Sequence, residues 1–124
     1  MFNHLVLGAS NLEQSRRFYD AFLGALGVAP GAVGKDSYRY LHDGDTLVIK
    51  VPINGQPASA ANGGTLGFKA SSEQQAKAAH DAGVAAGGTT CEDPPGLRPN
   101  GMYLAYLRDP VGNKLCAVYR PAKA

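Results

Sequence analysis

The 124-residue chain has no tryptophan, two cysteines, two methionines and few charges, with Asp, Glu, Lys and Arg making up 18% of it. Each shortage closes a class of explanation. Cys91 and Cys116 are too few and too ill-spaced for a disulfide framework or a zinc knuckle. Lys and Arg occur singly or in pairs and the net charge is only +2, so no basic stripe is present to draw a phosphate backbone. Nucleic acid is not an expected partner. No apolar run approaches the roughly 18 residues of a membrane span, and the first residues carry neither a basic segment nor a small-residue cleavage pattern. The expectation is a cytoplasmic protein with no membrane partner and with reduced cysteines.

What is present is 44% hydrophobic residues with 16 glycines and 8 prolines, the composition of one turn-rich globular domain. Disorder is expected only at the C-terminal PAKA, residues 121–124. FNHLVLG (2–8) reads as a strand, and Ser10 with Glu13 reads as a capping box before the helix LEQSRRFYDAFLGALG. Leu12, Tyr19, Phe22, Leu23 and Leu26 recur along that helix at helical spacing, and Gly27 closes it. SYRYLH (37–42), the turn DGD and TLVIKV (46–51) form a hairpin pattern.

PINGQPASAANGG (52–64) reads as a connection, and after it the order repeats. A strand TLGFKA (65–70) and a helix SEQQAKAAHDAGVAAG (72–87) lead to a loop. A second hairpin follows, MYLAYLRD (102–109) and NKLCAVYR (113–120), joined through DPVGN. Laying residues 4–27 over 65–88 pairs Leu5 with Leu66, Ala9 with Ala70, Ser10 with Ser71, Gln14 with Gln75, Asp20 with Asp81 and Gly27 with Gly88. Laying 44–50 over 112–118 pairs Leu47 with Leu115 and Val48 with Cys116. Identity and order agree, which is the signature of an internal duplication.

A β-α-β-β-β module repeated twice, opening on a His-bearing strand and a helix SRRFYDAFLGALG and closing on DPVGNKLCAV, resembles the vicinal oxygen chelate superfamily. Glyoxalase I, extradiol dioxygenases and the bleomycin- and fosfomycin-resistance proteins belong to that superfamily. The resemblance implies an α+β fold in which two tandem βαβββ modules form an open, mixed-sheet barrel. Module one spans residues 1–52, the connection 53–64 and module two 65–120. It also implies a homodimer, a small-molecule ligand and, in the enzymes, a divalent metal held by His and Glu.

By the duplication, the four family ligand positions fall on His4 and Thr65 at the first strands and on Val48 and Cys116 at the last. Valine has no donor atom, a neutral threonine hydroxyl donates little charge, and cysteine would make a soft thiolate site. His4 alone is a ready metal ligand. Facing Cys116 across a cavity, it would also make an imidazole–thiol pair, so both stand as catalytic candidates. The plainer alternatives are a hydrogen-bonded histidine of metal-binding ancestry and a small buried cysteine.

Loop 92–103 is expected to cover the second module, with Arg98 as the fork for a carboxylate or phosphate. Tyr38 and Tyr40 share one strand face, while Tyr103 and Tyr106 take opposite faces. Tyr38, Tyr40, Tyr103 and Thr65 complete the expected substrate-binding set. His42 beside the hairpin turn and His80 on the second helix read as solvated or packing residues. Three functions remain open: a divergent metal-dependent lyase or dioxygenase with an incomplete metal site, a metal-free protein that sequesters a drug or metabolite, and a scaffold without a small ligand.

Overall fold

The computed structural model describes residues 1–121, so the expected disorder of PAKA lies, apart from Pro121, outside the described residues. Nine strands and two helices are described: β1 Leu5–Gly8, α1 Leu12–Ala25, β2 Ala32–Gly34, β3 Ser37–His42, β4 Asp45–Lys50, β5 Leu66–Lys69, α2 Glu73–Ala85, β6 Thr89–Thr90, β7 Gly96–Leu97, β8 Tyr103–Arg108 and β9 Lys114–Tyr119. They form two mixed sheets. The first has the order β1-β4-β3-β2 and the second β5-β9-β8-β6, with β7 also on β8. Among the described residues no helix is long and apolar enough to cross a membrane.

The duplication reappears as register. β1 runs parallel to β4 with Leu5 opposite Leu47 and Val6 opposite Val48, and β5 runs parallel to β9 with Leu66 opposite Leu115 and Gly67 opposite Cys116. Each parallel pair is extended by one bond at the paired alanines: Ala9 N–H donates to the Lys50 carbonyl at 2.9 Å, and Ala70 N–H to the Val118 carbonyl at 2.8 Å. β1 and β5 are shorter than the apolar patterns suggest, so His4 and Thr65 each sit one residue before their strand.

The helix ends differ from expectation in two places. The N-cap of α1 is Asn11, whose side chain accepts from Gln14 N–H at 3.0 Å, not Ser10. Ser10 Oγ instead accepts from Ala58 N–H at 2.8 Å, fastening the connection to the end of β1. A variant of the box exists at α2: the N-cap Ser72 accepts from Gln75 N–H at 3.0 Å, while Gln75 Oε1 accepts from the N–H of Ser71, one residue before the cap, at 2.6 Å. The counterpart of Gly27 (φ +89) is Gly87 (φ +110) rather than Gly88, because α2 is one residue shorter than α1.

The core lies between the helices and the inner faces of both sheets. Phe18, Tyr19 and Phe22 of α1 are fully buried, as are Ala76 and Ala79 of α2. The small residues let the helices approach closely, and Phe18 fills the resulting notch. A Cβ on Gly88 would stand 2.5 Å from its ring, and one on Gly83 would stand 3.0 Å from it. Phe22 reaches past the helix pair to meet Phe68 of β5 edge-on, with ring centroids 5.4 Å apart.

One polar cluster joins the two halves. Asp109 follows β8 and is only 4% exposed. Its Oδ1 accepts from the N–H groups of Val111, Gly112 and Asn113 at 2.9–3.0 Å, and its Oδ2 accepts from Asn113 Nδ2 at 2.9 Å and from the Tyr19 hydroxyl at 2.5 Å. Removing the carboxylate leaves buried donors unpaired, each costly. Asp109→Ala is expected to lower stability by about 3–5 kcal/mol and Tyr19→Phe by about 1–3 kcal/mol, read from urea unfolding midpoints.

Burial, and then Asp109, pushes the Tyr19 phenol well above its ordinary value; burial and then its hydrogen bond to Asp20 do the same for Tyr40. The unfolded chain gives up these protons near pH 10 and the folded chain does not, so folded protein binds more protons in alkali. Their contribution to stability is therefore complete below about pH 9 and declines as pH rises beyond 10. Tyrosinate absorbance is expected in two steps, the later coinciding with loss of the circular-dichroism signal. Tyr40→Phe should remove one phenol from that later step.

Candidate functional site

Cross-strand neighbours share a face, so register assigns every strand residue to the helix side or to the open side. In the first sheet Tyr38 stands opposite Ile49 and Tyr40 opposite Leu47, and both partners are buried under α1. The two tyrosines share a face as expected, but it is the helix face. Tyr40 is buried and its hydroxyl donates to Asp20 Oδ1 at 2.8 Å, while Tyr38 donates to Glu13 Oε2 at 3.3 Å. Both hydroxyls are used in holding α1 to β3.

The open side of that sheet carries Val6, Val48 and Arg39 in one cross-strand row, and Gly8, Lys50 and Ser37 in the next. Continuing the register one step past β1 brings His4 beside Thr46. These side chains enclose an open cavity of about 380 Å³ lined by Asn3, His4, Val6, Arg39, Thr46, Val48 and Lys50. His4 is exposed on its wall, with Nδ1 2.7 Å from Asn3 Oδ1. An amide oxygen only accepts, so His4 Nδ1 is the donor in this contact.

Cys116 faces the open side of the second sheet, between Gly67 and Tyr106. It is 2% exposed, and its Sγ–H points to the Ala117 carbonyl at 3.6 Å. Burial raises its pKa, the opposite of what a thiolate nucleophile or metal ligand needs. Cys116 does not line the His4 cavity. Thr65 lines a smaller cavity of about 180 Å³ with Leu7 and Leu115. The four expected ligand positions are thus divided among separate surroundings.

Tyr103 shares its face with the buried Ala105 and Leu107 and packs toward α2, whereas Tyr106 stands opposite Cys116 on the open side. Tyr106, not Tyr103, is therefore the open-face tyrosine of β8, and its pairing with Cys116 across the hairpin is the signal that identifies it. Arg98 does lie in the covering loop, but its fork is engaged there. Nη1 donates to the Gly96 carbonyl at 3.0 Å and Nη2 to those of Asp93 and Pro94 at 3.2 and 3.0 Å. The same loop sends Glu92 to Lys114 Nζ at 2.6 Å, and Lys114 lies over the Tyr106 ring. His80 is buried and bridges Asp81 and Thr90 Oγ1, tying α2 to β6.

Two helix-backed mixed sheets in βαβββ order, with cavities on or beside the sheets, define the glyoxalase/bleomycin-resistance class of fold. The sequence profile of the Glyoxalase/Bleomycin resistance protein/Dioxygenase superfamily matches residues 1–117, and the chain belongs to that superfamily. It is similar to a glyoxalase/bleomycin resistance protein from Albidiferax ferrireducens T118, with 56% identity, 98% of this chain and 99% of that one covered, and a TM-score of 0.93. Two more distant structures share the fold. A glyoxalase-related enzyme from Fulvimarina pelagi has 24% identity, coverage of 98% and 91%, and a TM-score of 0.78. A lactoylglutathione lyase from Agrobacterium tumefaciens has 19% identity, coverage of 96% and 92%, and a TM-score of 0.67. Among curated proteins none matches the chain.

Superfamily members often bind a divalent metal, and the donor chemistry here tests the fit. A divalent ion needs about three or four protein ligands of imidazole or carboxylate type. Val48 supplies none, Thr65 is neutral, and Cys116 is a buried thiol held protonated. Among the described residues no group of three or more His, Cys, Asp or Glu side chains is placed to hold a metal. The four positions do not fit such an ion. In a Cys91→Ser background, Cys116 is expected to react with a thiol reagent only at the rate of unfolding; a fast stoichiometric reaction at neutral pH would contradict the buried, protonated thiol.

Proposed function

We propose that this single-domain protein binds a small molecule on the open face of its first sheet and does so without a divalent metal at His4. The observation that carries this reading is the cavity itself: about 380 Å³ spread over Val48, one of the four positions where the resemblance implies a metal ligand and where this chain has no donor atom. An apolar floor of Val6 and Val48 under a rim of polar groups suits an organic ligand better than a bare cation. The role that follows is that of the family's metal-free sequestering members. A homodimer belongs to the same reading, supported by Leu41, 63% exposed on that face, which a second copy would cover.

The competing reading is a divergent lyase or dioxygenase with metal on His4. It is favoured by one observation, the place of His4 on the cavity wall with its second ring nitrogen making no hydrogen bond among the described residues. Metal analysis of the purified protein and of His4→Ala separates the two. Substoichiometric metal, unchanged by the substitution, is the expected result. Stoichiometric metal that is lost in His4→Ala would overturn the metal-free reading.

A further inference from the structure

The open face of the first sheet bears two fixed cations and no anion. Arg39 and Lys50 both line the cavity, and neither belongs to any ion pair among the described residues. Arg39 stands opposite Val48 while Lys50 stands opposite Ser37, so the two cations are diagonal neighbours on adjacent strands. Such neighbours lie roughly 7–8 Å apart, close enough for both to reach one ligand group. No carboxylate lines the cavity.

The second sheet supplies an internal comparison. Its open face is also cationic; Lys69, opposite Val118, has no ion-pair partner among the described residues, but two of its other cations are held by protein groups. Lys114 is held by Glu92 at 2.6 Å, and Arg108 Nη1 donates to the Gly112 carbonyl at 2.8 Å. The residue in the place of Arg39 is Tyr106, and the loop from Cys91 to Gly101 brings Arg98 and Glu92 over it. Like charges on one face repel unless a counter-charge is provided. The second face has one built in; the first leaves the position open to a ligand.

We infer that the ligand of the first-sheet cavity is an organic anion, its carboxylate or phosphate group held between Arg39 and Lys50 and its apolar body lying on Val6 and Val48. The inference rests on the small-molecule reading above and adds the chemical class. The guanidinium provides a planar fork for two oxygens and the ammonium a point charge beside it. Thr46 and His4, at the other end of the groove, meet whatever polar group the ligand carries away from its anionic end. Because the cavity is open and both cations are exposed, binding is salt-sensitive.

Titration of the protein with benzoate, phenyl phosphate and the neutral benzamide, followed by backbone amide NMR shifts, tests this. Benzoate or phenyl phosphate is expected to shift Arg39, Val48 and Lys50 saturably. Benzamide should bind about ten-fold more weakly or not at all, and Arg39→Gln and Lys50→Gln should each weaken the anion by about ten-fold. The stronger of the two anions identifies carboxylate or phosphate as the preferred group. Equal binding of benzamide at the same residues overturns the anion assignment while leaving the small-molecule reading intact. Anion binding that maps elsewhere, or that survives both substitutions, overturns the assignment to these cations. Absence of any shift with either anion overturns the inference, and the metal measurement on His4→Ala judges the underlying reading independently.

Discussion

The contact between Tyr19 and Asp109 is the constraint on which the relation between the two halves depends. Tyr19 belongs to α1 of the first module and Asp109 to the turn that reverses β8 into β9 in the second. A carboxylate shut away from water is tolerated only when its lone pairs are occupied. Asp109 meets that condition with three backbone amides and the Asn113 amide from its own turn, plus one hydroxyl from the other half. The four local donors shape the turn. The fifth can be supplied only if α1 lies against the second module, so folding the turn and docking the helix satisfy the same group.

Once α1 is docked there, Phe18 meets the notch at Gly83 and Gly88 and Phe22 meets Phe68. The helices occupy one side of the sheets, and their aromatic residues turn the strands' bulky residues toward them. Tyr38, Tyr40 and Tyr103 are drawn to that side, and two of these phenols close onto carboxylates of α1. The opposite side is left with valines, cations, a threonine, Leu41, Tyr106 and a buried thiol. The chemistry available to a ligand is thus set by the packing of the other face.

Much of this architecture is legible in the order of the residues. The paired Leu5 and Leu66, Leu47 and Leu115, and Val48 and Cys116 foretell the register of both parallel strand pairs, because a duplicated module must repeat its hydrogen-bond partners. Parity correctly separates Tyr103 from Tyr106. Parity does not say which of two faces a helix covers, and so it cannot show that Tyr38, Tyr40 and Tyr103 turn away from the open side. Asn11 and Ser10 are both competent caps, and only the pull of Ala58 N–H on Ser10 decides between them. The short β2, β6 and β7 escape notice because two or three residues carry no period to detect. The occupied fork of Arg98 is equally invisible, since its partners are backbone carbonyls that every residue possesses.

The divergence of the two modules is concentrated at equivalent positions on their open faces. Where the first has Val48 beside Arg39, the second has Cys116 beside Tyr106. The second face carries the Arg98-braced loop and an ion pair of Lys114 with Glu92, while no carboxylate lines the first cavity. A metal site built on the family's pseudo-symmetric pattern draws ligands from both modules at once, and here Val48 has no donor atom and Thr65 only a neutral hydroxyl. A site contained within one sheet has no such requirement. On the proposed reading, the asymmetry at Val48 and Thr65 and the cations around the first cavity belong together: donors are missing where a site shared between modules would need them, and charge stands where a site on the first sheet alone would use it.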